Sequence, residues 1–131
     1  LQQGIEVRLP NGRIVKPADV LGPPRSGRKL VYVGDTKPSD KVAEFAKGAD
    51  ALIHEATFSD DIIDRAEEDM HSTPSGAALV AKKASAKILV LTHISARYGD
   101  SNVLLEQAKK IFAEVRIAKD LEKMDIPLRE A

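Results

Sequence analysis

The sequence predicts an α/β fold behind a short lead-in, on two observations. Apolar runs at residues 29–33, 51–53 and 87–91 alternate with stretches of helical periodicity, a pattern that belongs to strand–helix units. The three histidines of the chain, His54, His71 and His93, each stand where an apolar run ends or a helix begins. Side chains that bind metals or move protons are commonly carried by loops on a rigid scaffold, so this placement points to an enzyme's site-bearing half.

Each element has its own signal. Residues 5–9 and 13–16 alternate around Pro10-Asn11-Gly12, a hairpin signature in which glycine supplies the positive φ. Residues 21–27 hold two prolines without backbone donors and two glycines, and read as a loop. A buried strand is expected over 29–33, a short helix over 39–47 and a second strand over 51–53. Residues 60–69 read as a helix with Ile62, Ile63 and Ala66 on one side. The best-marked helix covers 74–84, with Thr73 as N-cap and Pro74 in the first turn, where its missing N–H costs nothing. Its apolar stripe of Ala77, Val80, Ala81 and Ala84 is small and suits close packing on a sheet. Residues 87–91 form the clearest buried strand. A helix over 102–112, with Leu104, Ala108 and Ile111 at helical spacing, precedes short strands over 115–118 and 125–128.

Composition narrows the function class. At 131 residues and 43% hydrophobic the chain can bury one core. Twenty basic and twenty acidic residues cancel, so no global field selects a partner. With no cysteine there is neither a disulfide framework nor a thiolate zinc site, and a metal would have to use His, Asp or Glu. No apolar run approaches the ~20 residues of a membrane span, and the opening Leu1-Gln2-Gln3-Gly4 lacks a signal peptide's basic start and apolar stretch. A soluble, cytoplasmic protein is expected, with no membrane partner. The first residue, Leu1 rather than Met, suggests a processed chain, an engineered fragment or a downstream piece of something longer.

The chemistry gathers at strand ends. Asp35 follows the run 29–33 after Gly34, His54 and Glu55 follow 51–53, and His93 follows 87–91. Ligands of open α/β sheets collect at the carboxyl ends of strands. His71 adds a further group from the loop before the helix capped by Thr73. A carboxylate with a neutral imidazole suits Zn²⁺ or Mn²⁺, and an imidazole beside a carboxylate suits a proton donor. Plainer roles exist for each: an Asx turn at Asp35, a helix-start carboxylate at Glu55, a residue that merely precedes a capped helix at His71, a structural histidine at His93. Together they would require four coincidences at one edge.

Gly34-Asp35-Thr36, His54-Glu55-Ala56-Thr57, His71-Ser72-Thr73 and the run Thr92-His93-Ile94-Ser95-Ala96-Arg97-Tyr98, in this order, resemble the C-terminal half of ribonuclease Z. These are the tRNA 3′-processing endonucleases of the metallo-β-lactamase superfamily. The Asp and final His motifs recur across that superfamily, whereas the His-Glu-Ala-Thr and His-Ser-Thr pair is the more specific. The resemblance implies the C-terminal half of an αββα sandwich. It implies a two-zinc phosphodiesterase in which Asp35 and His93 are metal ligands and His71, oriented by Glu55, protonates the leaving 3′ oxygen. Ser95 and Arg97 would touch substrate. His54 has no assigned role; alternation sets it opposite Glu55, so one of the two should face the core.

The chain departs from that pattern: no two of its histidines lie two apart, so the His-x-His-x-Asp-His cluster is missing, and so is a further upstream His ligand. Asp35 and His93 alone are too few ligands for a stable zinc site. The expected partners are therefore precursor tRNA and either the missing N-terminal half or a second copy in a homodimer. Leu30, Val31, Leu89, Val90 and Leu91 should show one uncovered sheet face. The alternative is a non-catalytic, self-associating α/β assembly module of the same fold.

Overall fold

A computed structural model describes residues 1–23 and 26–128, as two compact units. The first, residues 1–27 with 128 onward, holds β1 (Val7–Arg8), β2 (Ile14–Val15) and α1 (Pro17–Val20). β1 and β2 pair antiparallel, with Val7 opposite Val15 and Arg8 opposite Ile14. Gly12 takes φ +83°, the conformation that the Pro10-Asn11-Gly12 turn requires. Helix α1 was not legible in the hydrophobic pattern. It starts with Pro17 in the first turn and is closed by the Lys16 N–H donating to the Asp19 carboxylate at 2.8 Å. The loop expected over 21–27 includes Pro24 and Arg25, which lie outside the described residues.

The second unit, Arg28–Pro127, carries the sheet. Strands β3 (Leu30–Val33), β4 (Ala51–Glu55), β5 (Leu89–Thr92) and β6 (Val115–Ile117) lie side by side in that order, all parallel. The connections carry α2 (Asp40–Phe45), then a short 3₁₀ turn (Asp60–Ile62) with α3 (Ile63–Glu68) and α4 (Pro74–Lys83), then α5 (Asn102–Lys109). Parallel neighbours demand such crossovers. Their register aligns Val31, Leu52, Leu89 and Val115 in one row across the sheet, and Val33, His54, Leu91 and Ile117 in the next.

Those rows face the helices. Ala43 and Ala46 from the α2 segment, Ala77, Ala78, Val80, Ala81 and Ala84 from the α4 segment, and Ala108 from α5 close the core over Val31, Leu52, Leu89 and Leu91. Small side chains at these positions let the helix backbones approach the sheet closely. α4 is capped as the sequence predicts, the Thr73 hydroxyl accepting from the Gly76 N–H at 3.2 Å.

Four expectations need correction. The run 29–33 is not a buried strand: β3 stands at the edge of the sheet, with Leu30 57% and Tyr32 72% exposed while Val31 is buried. The uncovered face is smaller than expected. Val31, Leu89 and Leu91 face the helices, and of the five residues named for that face only Leu30 is exposed. Val90 and Ile53 are covered on the other side by the segment Ala118, Lys119, Glu122, Met124 and Ile126, leaving a groove of about 280 Å³. The strand expected over 125–128 does not form, because this segment crosses the sheet face, held where Arg28 Nη1 donates to the Ile126 carbonyl at 2.8 Å. Finally, the single helix over 60–69 is a 3₁₀ turn followed by α3, on which Ala66 is buried and Ile63 half-exposed.

Candidate active site

The carboxyl ends of β3, β4 and β5 deliver the site, with the loop before α4. Glu55, last residue of β4, is fully buried. A buried carboxylate is tolerated only when densely hydrogen-bonded, and this one is. Its Oε1 accepts from the Thr36 N–H at 3.1 Å, the Ser72 N–H at 2.8 Å and His71 Nδ1 at 3.0 Å. Its Oε2 accepts from the Thr57 N–H at 3.0 Å and the Thr57 hydroxyl at 2.9 Å. One side chain thus ties together the loops after β3 and β4 and the loop entering α4. Ser72 reinforces the joint, its hydroxyl donating to the Thr36 carbonyl at 2.6 Å.

Thr57 fixes the protons on both exposed imidazoles. Its single hydroxyl hydrogen is given to Glu55, so towards His93 Nδ1 at 2.8 Å and His71 Nδ1 at 3.2 Å it can only accept. Both Nδ1 atoms therefore carry hydrogen. In the neutral ring the free lone pair then sits on Nε2. Asp35 approaches the same pair, Oδ1 lying 3.2 Å from His93 Nδ1. Asp35, His71 and His93 each offer a ligand atom within 4.8 Å of one another. A carboxylate and two imidazoles are a donor set that fits zinc, and His71 stands beside the two residues that the resemblance implies as ligands.

The backbone around these groups is unusual. His93 itself adopts φ +55° and Met70, immediately before His71, φ +62°. Such left-handed conformations outside glycine are uncommon and cluster at sites where surrounding contacts over-determine them.

Of the remaining sequence candidates, His54 faces the helices in the core row between Val33 and Leu91, opposite in direction to Glu55. Its Nδ1 donates to the Glu55 carbonyl at 2.8 Å, and its buried Nε2 has no partner among the described residues. Burial pushes its pKa below the usual imidazole value, against the smaller raising effects of the Glu55 carbonyl and carboxylate. His54 therefore does not join the exposed cluster. Ser95 donates its N–H to the Thr57 carbonyl at 3.2 Å, pinning the loop after β5. Arg97 lays its guanidinium 5.1 Å from the centre of the Phe58 ring, and Phe58 meets His71 edge-on at 5.7 Å. Thr57 and Thr36 were missed as functional groups. Thr57 lay inside a quoted motif, but nothing in a single sequence shows that its hydroxyl meets two histidines 14 and 36 residues away.

Comparison with known proteins places this geometry. Residues 17–94 match the family model described as the Beta-lactamase superfamily domain. The chain is 50% identical over 132 residues to ribonuclease Z of Myxococcus xanthus, covering 99% of this chain and 43% of that protein. It is 46% identical over 130 residues to ribonuclease Z of Methanosarcina mazei, covering 98% of this chain and 42% of that protein. The chain thus spans well under half the length of these relatives. Among solved structures, human tRNase Z, short form, is 37% identical with a TM-score of 0.63, covering 88% of this chain and 37% of that one. The metallo-beta-lactamase fold protein YhfI from Bacillus subtilis is 35% identical with a TM-score of 0.64, covering 69% and 36%. The α/β sheet with its helices and this similarity agree: the chain belongs to the metallo-β-lactamase superfamily, and ribonuclease Z proteins match it along nearly its whole length.

Proposed function

We propose that this chain is the proton-donating, metal-sharing segment of a zinc-dependent endoribonuclease that removes the 3′ trailer from precursor tRNA in the cytoplasm. The observation that carries the reading is the buried Glu55 carboxylate against His71 Nδ1, beside Asp35 and His93. A carboxylate fixes the tautomer and ring orientation of the imidazole it holds, so His71 presents Nε2 to a substrate in a set direction. Zinc, held by Asp35 and His93 together with ligands from the remainder of the protein, would supply Lewis-acid stabilisation of the phosphate and a lowered water pKa.

In the reaction a water oxygen bonds to phosphorus as that water gives up a proton to solvent, the bond from phosphorus to the 3′ oxygen breaks, and His71, carrying hydrogen on both ring nitrogens, gives that oxygen its Nε2 proton. Products are a 3′ hydroxyl on the tRNA and a 5′ phosphate on the trailer. The remainder of the protein, or a second copy of this chain, would complete the site and pack on the sheet face where Leu30 and Tyr32 are exposed. Ser95 and Arg97 lie close enough to His71, through Thr57 and Phe58, to hold substrate next to the proton donor.

The test is cleavage of a precursor tRNA by the full-length protein and by His71→Ala. Turnover should fall by roughly 10²-fold or more with zinc content unchanged, the size expected for general-acid catalysis. Loss of zinc in that variant would instead make His71 a ligand, the role that its distance from Asp35 and His93 also permits. Unaltered cleavage would remove His71 from the chemistry.

A further inference from the structure

A cleft of about 500 Å³ opens beside His71, within the roughly 300–1,000 Å³ typical of small-ligand sites. Its walls come from the loop after β3, from α3 and from the first turns of α4. Pro38 lies flat on α4, so close that a Cβ at Gly76 would stand 2.5 Å from Pro38 Cγ. Ile63 and Leu79 line the cleft and leave about half their surface in water. Apolar walls of this kind leave polar recognition to a few groups on the rim. Asp60 at the cleft is already engaged, accepting from the Ser75 N–H at 3.0 Å and the Ser75 hydroxyl at 2.6 Å. Lys37, also on the rim, makes no ion pair among the described residues. His71 forms one wall, so the cleft begins at the proton donor.

An apolar-walled cleft that carries Lys37 beside the carboxylates of Asp60 and Glu67, with a proton donor at its mouth, can take the base of a nucleotide in its walls and a phosphate at Lys37. We propose that this cleft seats the base of the nucleotide whose 3′ oxygen leaves, with the Lys37 ammonium against the phosphate on that nucleotide's 5′ side. The proposal rests on the reading of His71 as the donor to that oxygen, because the sugar bearing the oxygen must then lie against His71 and its base within reach of Pro38, Ile63 and Leu79. The occupant is fixed by that adjacency: the nucleotide on the other side of the cut carries its phosphate, not its 3′ oxygen, towards His71.

The experiment uses the full-length protein and two precursor RNAs that differ only at the nucleotide 5′ of the cut, one carrying its base and one abasic there. With the unmodified protein, removing the base should lower kcat/KM by about tenfold, the order that loss of one base contact produces. In Leu79→Trp, which fills the cleft from a half-exposed position, the two RNAs should converge to within about twofold, the change falling on KM. Ile63→Trp, on the facing wall, serves the same purpose if Leu79→Trp fails to fold. Lys37→Ala should weaken both RNAs alike and flatten the dependence of KM on salt. Equal cleavage of both RNAs by the unmodified protein would overturn the nucleobase pocket and leave the proton-donor reading intact. Failure to cleave either RNA would overturn both.

Discussion

Glu55 Oε1 stands 3.0 Å from His71 Nδ1, and the two differ sharply in environment: the carboxylate is fully buried, whereas the imidazole keeps about a fifth of its side chain in solvent. The pair is anchored from behind and open in front. A carboxylate free to rotate could hold a histidine only loosely, but this one is fixed by N–H donors from three separate loops.

That fixation predicts two losses from one substitution. In Glu55→Gln, one oxygen becomes an NH₂ that must face either the Thr57 donors or the Thr36, Ser72 and His71 donors. Stability should drop by about 1–3 kcal/mol, the cost of leaving buried donors unpaired, measured by urea unfolding of the full-length protein. Precursor cleavage should fall as well, though less than in His71→Ala. A variant that is as stable as the unmodified protein would show that the carboxylate is not the joint between these loops.

Asp35→Ala and His93→Ala should each lose zinc and activity together. Elemental analysis after dialysis checks the first and a cleavage assay the second. The isolated 131-residue chain should itself hold zinc weakly, because its three candidate donors lack the fourth that a closed site needs. About two zinc ions per isolated chain would mean that further ligands exist here.

His54 predicts a pH dependence of stability. Its folded-state pKa is lowered by burial, so below the usual value of 6.5 the unfolded chain takes up a proton that the folded chain resists. Stability contributed by this residue is fully present above pH 6.5 and is lost as pH falls from there towards the folded value. Urea unfolding of the full-length protein between pH 8 and about pH 5 should show this slope. His54→Leu should flatten it. An unchanged slope would indicate that His54 takes up its proton equally in both states.

Gly76→Ala sets two effects against each other. Alanine in a helix is favoured over glycine by about 1 kcal/mol, but its Cβ would stand 2.5 Å from Pro38 Cγ, a ring atom that cannot simply swing away. Overpacking of this kind costs about 1–3 kcal/mol, so the net change should be destabilising or close to neutral with the 36–38 loop displaced. Thermal unfolding with a precursor cleavage assay would detect both. A rise in Tm with unchanged KM would show that the loop yields freely.

The legible parts of the fold were those set by short-range chemistry. Thr73 with Pro74 marked the start of α4, and the apolar run at 87–91 marked β5. The strand ends at Asp35, Glu55 and His93 followed from the same pattern, because a residue just past a parallel strand can only emerge at its carboxyl edge. What stayed hidden depended on neighbours distant in sequence. A continuous apolar run does not reveal that β3 is an edge strand, so the exposure of Leu30 and Tyr32 could not be read. A short strand is expected over 125–128, yet Pro127 has no N–H for a ladder, and Ile126 lies on the sheet face instead. Thr57 was invisible as a shared acceptor because that role exists only once two loops bring His71 and His93 to it. The same convergence brings Asp35, His71 and His93 within 4.8 Å of one another, a grouping that no spacing along the chain discloses.

The strand order also governs when the site comes into being. Because β3, β4, β5 and β6 are neighbours in both space and sequence, the sheet can be laid down one strand at a time as the chain leaves the ribosome. Asp35 arrives with the first strand and Glu55 with the second, but the strand preceding His93 is the third. Within this segment the loop bearing His93 is the last of the three donor loops to be laid down, so the grouping of Asp35, His71 and His93 is complete only once β5 has joined the sheet.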